Sequence, residues 1–179
     1  MHISKAHDYQ PAAQALLVLL LLLLFSSELL AAGCRPARVA AGEHQGCLQV
    51  KTAEGAPQSR NYRLYIPKHY DAKADMDWPL LVVLHGGGGN PKAISRYSRL
   101  NSIARKQFDD DWIILYPEGL DRGWNDSRQR YTQDDVEFIT ELVSQHLPQR
   151  LGIHAGTGYY VTGISNGALM AMPNTIFSL

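Results

Sequence analysis

The chain has 179 residues, 45% of them hydrophobic, enough for one domain with a core of its own. Its 17 basic and 17 acidic side chains cancel, and no basic stripe runs through it, so neither charge nor composition points to a nucleic-acid partner. No internal repeat organises the sequence.

Leu16 to Phe25 is an unbroken apolar run, almost all leucine. It is too short to span a bilayer comfortably and Glu28 closes it, so it reads as the hydrophobic part of a signal peptide. Leu30-Ala31-Ala32-Gly33-Cys34 resembles a lipobox, with Ala31 where the pattern prefers leucine. Residues 1–34 are thus expected to be a leader, and the protein to be secreted or periplasmic. A lipid on Cys34 would be its one link to a membrane. The alternatives are ordinary secretion, with Val39-Ala40-Ala41 as a second cleavage site, and an uncleaved anchor. Cys47 is then left unpaired, bridged to Cys34, or bridged to a partner in sequence beyond this chain.

Residues 35–60 are rich in Ala, Gly, Gln and Pro and read as a linker running into a first strand. Asn61 to Pro67 alternates polar and apolar like a half-buried strand, and Leu80-Leu81-Val82-Val83-Leu84 is apolar throughout, like a strand buried on both faces. Ile94 to Gln107 predicts a helix with Ile94, Tyr97, Leu100 and Ala104 on one stripe. Trp112 to Tyr116 predicts the next buried strand. After a polar loop, Val136, Ile139, Val143 and Leu147 predict a second helix, for which Asp134 and Asp135 are capping candidates. Tyr159-Tyr160-Val161-Thr162 predicts a last strand. Strands alternating with helices predict a mostly parallel sheet with flanking helices, whose chemistry gathers at the carboxyl ends of the strands.

At that edge stands Gly163-Ile164-Ser165-Asn166-Gly167, a Gly-x-Ser-x-Gly pattern between a strand and the start of a helix. That context defines a nucleophile elbow, a sharp turn that presents the serine hydroxyl above the sheet. Ser165 is the candidate nucleophile. The glycine run after His85 suits backbone donors to an oxyanion, since side chains would obstruct their approach. Gly87 is the favoured donor there, Gly86 its alternative, and the Asn166 amide the second donor. No Gly-Lys-Ser/Thr follows the glycines, which speaks against a phosphate loop. His85 precedes the nucleophile and is expected to pack beneath the glycine loop instead of acting as base. Tyr116 and Trp124 are candidates to line an acyl pocket, with an ordinary packed loop as the alternative for Trp124. His146 and His154 read as surface or structural residues.

Four stretches together resemble the polyhydroxybutyrate-depolymerase/feruloyl-esterase group of α/β-hydrolases. They are Tyr62 to Pro67, Leu84 to Asn90, Gly123 to Asp126 with Asp134-Asp135-Val136, and Thr162 to Ala168. The resemblance implies an α/β-hydrolase fold over residues 61–172 and a serine esterase acting on ester-linked polymers or aromatic acyl esters, with no cofactor and no metal. Ser165 falls on the family's nucleophile and Gly86–Gly87 on its oxyanion loop. The family continues through strands that carry the triad aspartate and histidine. Here the likeness fades after Met172, residues 173–179 look unrelated, and all seven histidines precede Ser165. The expectation is therefore an incomplete esterase, lacking the C-terminal strands and inactive as it stands. The alternatives are a non-catalytic secreted remnant or binding module, and a serine peptidase of the same fold.

Overall fold

The computed structural model describes residues 34–52, 54–71, 78–126, 134–151 and 159–172. The chain divides into Met1–Cys34 and Arg35–Leu179, and the fold is that of the second unit. The leader, with its lipobox up to Gly33, His154 and the tail 173–179 lie outside the described residues. No helix among the described residues is long and apolar enough to cross a membrane.

Among the described residues five strands form one sheet: β1 (Gly42–Lys51), β2 (Pro57–Ile66), β3 (Leu80–Leu84), β4 (Ile113–Pro117) and β5 (Tyr159–Gly163), in the order β1-β2-β4-β3-β5. β4, β3 and β5 run parallel, while β2 joins β4 antiparallel and β1 pairs with β2 as a long hairpin. The linker expected over 35–60 therefore contains a ten-residue strand. Composition hid it because its partner supplies what it lacks. Gly46 sits opposite Tyr62, and a methyl group on Gly46 would stand 2.7 Å from the Tyr62 hydroxyl and 2.3 Å from the Ala37 nitrogen. The segment before β1 is tied down as well: Ala37 N–H donates to the Tyr62 hydroxyl (3.1 Å) and Cys47 N–H to the Arg35 carbonyl (2.9 Å). Cys34 and Cys47 are both disulfide-bonded.

Period-two alternation divides the core between the two faces of the sheet. Leu80, Val82, Leu84, Ile113 and Leu115 face a large cluster with Leu64, Trp78, Trp124, Phe138 and Leu142. Val83, Ile114, Tyr116 and Tyr65 face a smaller one with Ile94 and Ala104.

The helix predicted over 94–107 is two helices, α1 (Pro91–Ser98) and α2 (Leu100–Gln107), broken at Arg99, which adopts φ 57°. A left-handed residue cannot continue a helix, so the stripe is interrupted and Tyr97 faces solvent at 75% exposure. Asn90 caps α1 by accepting from Ala93 N–H (2.9 Å), with Pro91 at the first position. The second predicted helix begins as α3 (Asp135–Glu141), widens to a π-type turn over Leu142–His146 and continues as α4 (Leu147–Leu151). Pro148 has no N–H to return to the fourth preceding carbonyl, and Leu147 N–H reaches back five residues to Leu142, which relieves the mismatch. Ile139, Val143 and Leu147 are buried as their spacing requires. Asp134 is the N-cap, accepting from Glu137 N–H at 2.7 Å. The last described helix, α5 (Asn166–Met170), follows β5 directly.

Candidate active site

β5 ends at Gly163 and α5 begins at Asn166, so Ser165 carries the whole reversal. Its backbone stands at φ 54°, ψ −119°, a region that side chains rarely occupy, at a cost of about 1–3 kcal/mol. Close backbone contact enforces it. A methyl group on Gly163 would lie 2.5 Å from the Gly167 carbonyl carbon, and one on Gly167 would lie 2.5 Å from both the Leu84 and His85 carbonyl oxygens. Only glycine at both flanks lets α5 pack this tightly on β3 and β5. Ile164 N–H donates to the Leu84 carbonyl (3.2 Å), extending the β3–β5 ladder to the turn, and Ser165 is exposed at its apex.

The loop after β3 lies against this turn. A methyl group on Gly86 would stand 3.5 Å from the Ser165 Cβ, and one on Gly87 3.8 Å from the Asn166 Cβ. Gly89 N–H donates to the Gly86 carbonyl (2.9 Å) and Gly88 N–H to the Arg122 carbonyl (2.7 Å), which fixes the loop's path. Among the described residues, the N–H groups of Gly86, Gly87 and Asn166 donate to no acceptor. Ser165, Gly86, Gly87 and Asn166 are thus brought together.

His85 is buried beneath the loop. Gly119 N–H donates to its Nε2 (3.0 Å), so its proton sits on Nδ1, which donates to the Gly86 carbonyl (2.8 Å). Burial holds its pKa below the usual histidine value, outweighing the opposite effect of the Gly86 bond. With both ring nitrogens committed, His85 is a neutral structural post. Of the other described histidines, His44 contacts the Ala40 carbonyl, His69 is exposed, and His146 Nε2 is hydrogen-bonded with the Tyr62 hydroxyl (3.0 Å). No described histidine is bonded to the Ser165 hydroxyl.

Tyr116 and Trp124 do not line a pocket at the serine. Tyr116 is 1% exposed on the α1–α2 face, donates to Asn101 Oδ1 (2.7 Å), and has its pKa pushed up to about 12 by burial. Trp124 is fully buried, stacks on His85 at 4.9 Å and donates its Nε1–H to the His85 carbonyl (2.7 Å). Both rings therefore support the site from within.

Two residues of the site went unread in the sequence as site residues. Arg60 and Asp135 form a fully buried ion pair, and the guanidinium lies 4.1 Å from the centre of the Phe138 ring. Asp135 also accepts from Asn125 N–H (2.7 Å), so it anchors the Trp124 loop and does not cap a helix as its neighbour does. No cue in a single sequence pairs residues 60 and 135; only the doubled aspartate at the start of a helix hinted at a second role. Among the described residues no group of three or more His, Cys, Asp or Glu side chains gathers as a metal would require.

A mixed sheet with parallel strands feeding a glycine loop and a strand–elbow–helix is the N-terminal portion of an α/β-hydrolase fold. A solved thermostable esterase superposes at TM-score 0.51 and 21% identity over 70% of this chain and 35% of that one, a likeness of fold. A solved ferulic acid esterase gives TM-score 0.46 and 15% identity over 70% of this chain and 52% of that one. No family model matches the chain. In sequence it is 32% identical over 123 residues to the "Putative esterase NocK" of Nocardia uniformis subsp. tsuyamanensis, covering 65% of this chain and 34% of that protein. The chain spans about a third of the length of that relative.

Proposed function

We propose that this chain carries the nucleophile and oxyanion site of a serine esterase. The observation that carries the reading is the strained, exposed Ser165 set against N–H groups of Gly87 and Asn166 that donate to no acceptor among the described residues. In this mechanism Ser165 Oγ attacks the carbonyl carbon of a carboxylic ester while a base takes its proton. The carbonyl oxygen becomes an oxyanion held by the Asn166 and Gly87 amides, with Gly86 the alternative donor. Collapse expels the alcohol and leaves an acyl-enzyme, which water then cleaves. The substrate class is a polyester or a feruloyl or acetyl ester, and the chemistry needs no cofactor.

The base is the missing part among the described residues, so we propose that the 179-residue chain alone turns over esters slowly. An oxyanion site without its triad retains roughly 10³–10⁴-fold catalysis over water. The same observation favours a second reading, a non-catalytic relative that kept the fold. Hydrolysis of p-nitrophenyl acetate and of a feruloyl ester, measured beside a peptide substrate with and without added imidazole, separates them. Ester hydrolysis that rises with imidazole and vanishes in Ser165→Ala supports the esterase. Cleavage of the peptide alone supports a peptidase, and activity on none supports the non-catalytic relative.

We also propose export through the leader. A cysteine sulfur in a disulfide cannot carry a lipid thioether, so the mass of the mature N-terminal peptide decides between a bridged and a lipidated Cys34. A diacylglycerol adduct there would establish the lipoprotein.

A further inference from the structure

The side chain next to the nucleophile is buried and fully hydrogen-bonded. Asn166 is 8% exposed. Its Oδ1 accepts from Trp124 N–H (2.8 Å), and its Nδ2 donates to the Trp124 carbonyl (3.1 Å) and to Asp126 Oδ2 (2.7 Å). One planar group thus pairs with both backbone groups of Trp124 and with a buried carboxylate. Only a carboxamide offers an acceptor and two donors in that arrangement. A carboxylate at position 166 would lose both donors and face Asp126 with like charge.

The loop that receives Asn166 is itself anchored. Asn125 N–H donates to Asp135, whose partner Arg60 also donates to the Glu118 carbonyl (3.2 Å). Trp124 reaches the other wall of the site through the His85 carbonyl, and His85 in turn holds the Gly86 carbonyl. One loop therefore contacts both elements that supply N–H groups beside Ser165. Those elements are far apart in sequence, and the angle between their N–H groups matters because donors to an oxyanion act only when aimed at one point.

We propose that Trp124–Asp126 is a positioning clamp that, through the Asn166 side chain, fixes the direction of the Asn166 backbone N–H relative to the glycine loop, with Arg60–Asp135 as its buried anchor. The clamp touches no reacting atom. Its catalytic consequence rests on the acyl-transfer reading of Ser165; its structural part does not.

The test is a double-substitution cycle on the full chain with two readouts. The variants are Asn166→Asp, Asp126→Asn and both together, with Asp126→Ala as a milder perturbation should Asn166→Asp fail to fold. The first readout is hydrogen exchange of the Asn166 and Gly167 amides. The second is the rate at which an alkyl fluorophosphonate modifies Ser165 with imidazole present. There the Oγ–P bond forms as the P–F bond breaks, fluoride leaves, the Oγ proton passes to imidazole, and the phosphoryl oxygen occupies the oxyanion position. Asn166→Asp should speed exchange and slow modification by roughly tenfold each. The double substitution restores the donor–acceptor pair between the two positions but not the donor to the Trp124 carbonyl, so it should recover part of both effects. Exchange at the elbow that is unchanged in folded Asn166→Asp and Asp126→Ala, or a loss that the double substitution does not recover, overturns the clamp. If wild-type Ser165 is never modified, the esterase reading falls and the exchange cycle alone decides the clamp.

Discussion

β3 and β5 lie side by side, run parallel, and each ends in a loop of the site, yet they are secured in different ways. β3 is buried along nearly its whole length, with apolar partners on both faces. β5 is half-buried at best, and Tyr160 on it is 58% exposed. The candidate nucleophile therefore sits at the end of the least buried strand of the parallel set. Beside the packing of Tyr159, Val161 and Met170 on the core, what fixes it is close backbone contact at Gly163 and Gly167 and the buried polar chain through Asn166, Trp124 and Asp135. Close-packed backbone and fully bonded polar groups specify a position more sharply than a hydrophobic face does, and they tolerate change less.

Removing the anchor of that polar chain should have the largest effect. Asp135→Ala leaves Arg60 buried without its counter-charge, and should cost about 3–5 kcal/mol in a denaturant titration although it touches neither β3 nor β5. A loss below about 1 kcal/mol would mean that the pair is not the anchor described. Next come the glycine contacts. Gly167→Ala must push its methyl into two carbonyl oxygens at 2.5 Å, an overpacking cost of about 1–3 kcal/mol. Gly86→Ala meets its neighbours only at 3.4–3.5 Å and should stay within about 0.5 kcal/mol of wild type. Equal costs at the two positions would remove the distinction between a glycine required by contact and one required by open space.

A smaller effect should appear with pH. Burial lowers the pKa of both His85 and His146 below the ordinary 6.5. Unfolding releases these rings to bind protons, so the unfolded state is favoured as pH falls. Their contribution is fully present above pH 6.5 and is lost as the pH drops toward the folded values, so Tm should be lower at pH 5.5 than at pH 7.5. An unchanged or higher Tm at pH 5.5 would contradict this. The smallest effect on stability is expected on β5 itself. Tyr160→Thr should alter unfolding free energy by no more than about 0.5 kcal/mol. It should reduce self-association in sedimentation, because among the described residues β5 pairs on one side only and presents an apolar edge. A large destabilisation would show that Tyr160 supports the core after all.

The elbow and the glycine loop were legible in the sequence because their chemistry is local. Gly163, Ser165 and Gly167 serve one turn within five residues, and Leu80–Leu84 announces its own burial. β1 was not legible, since Gly46 makes sense only beneath Tyr62 across the hairpin. Nor was the break at Arg99, an ordinary residue in a left-handed conformation that no local signal demanded. Tyr116 in β4 and Trp124 in the loop beyond it both turn their rings into the core, because order along a chain does not reveal which way a ring turns. The Arg60–Asp135 pair joins residues 75 positions apart and exists only in the folded chain.

The most direct test is the reactivity of Ser165 itself. The folded chain is treated with an alkyl fluorophosphonate with and without imidazole, and the rate of adduct formation on the peptide containing Ser165 is compared with that in the urea-unfolded chain. The account predicts an adduct on Ser165 that forms faster in the folded chain, accelerates with imidazole and is absent from Ser165→Ala. Equal rates in folded and unfolded chains, or modification only at other residues, would show that the elbow presents no activated oxyanion site.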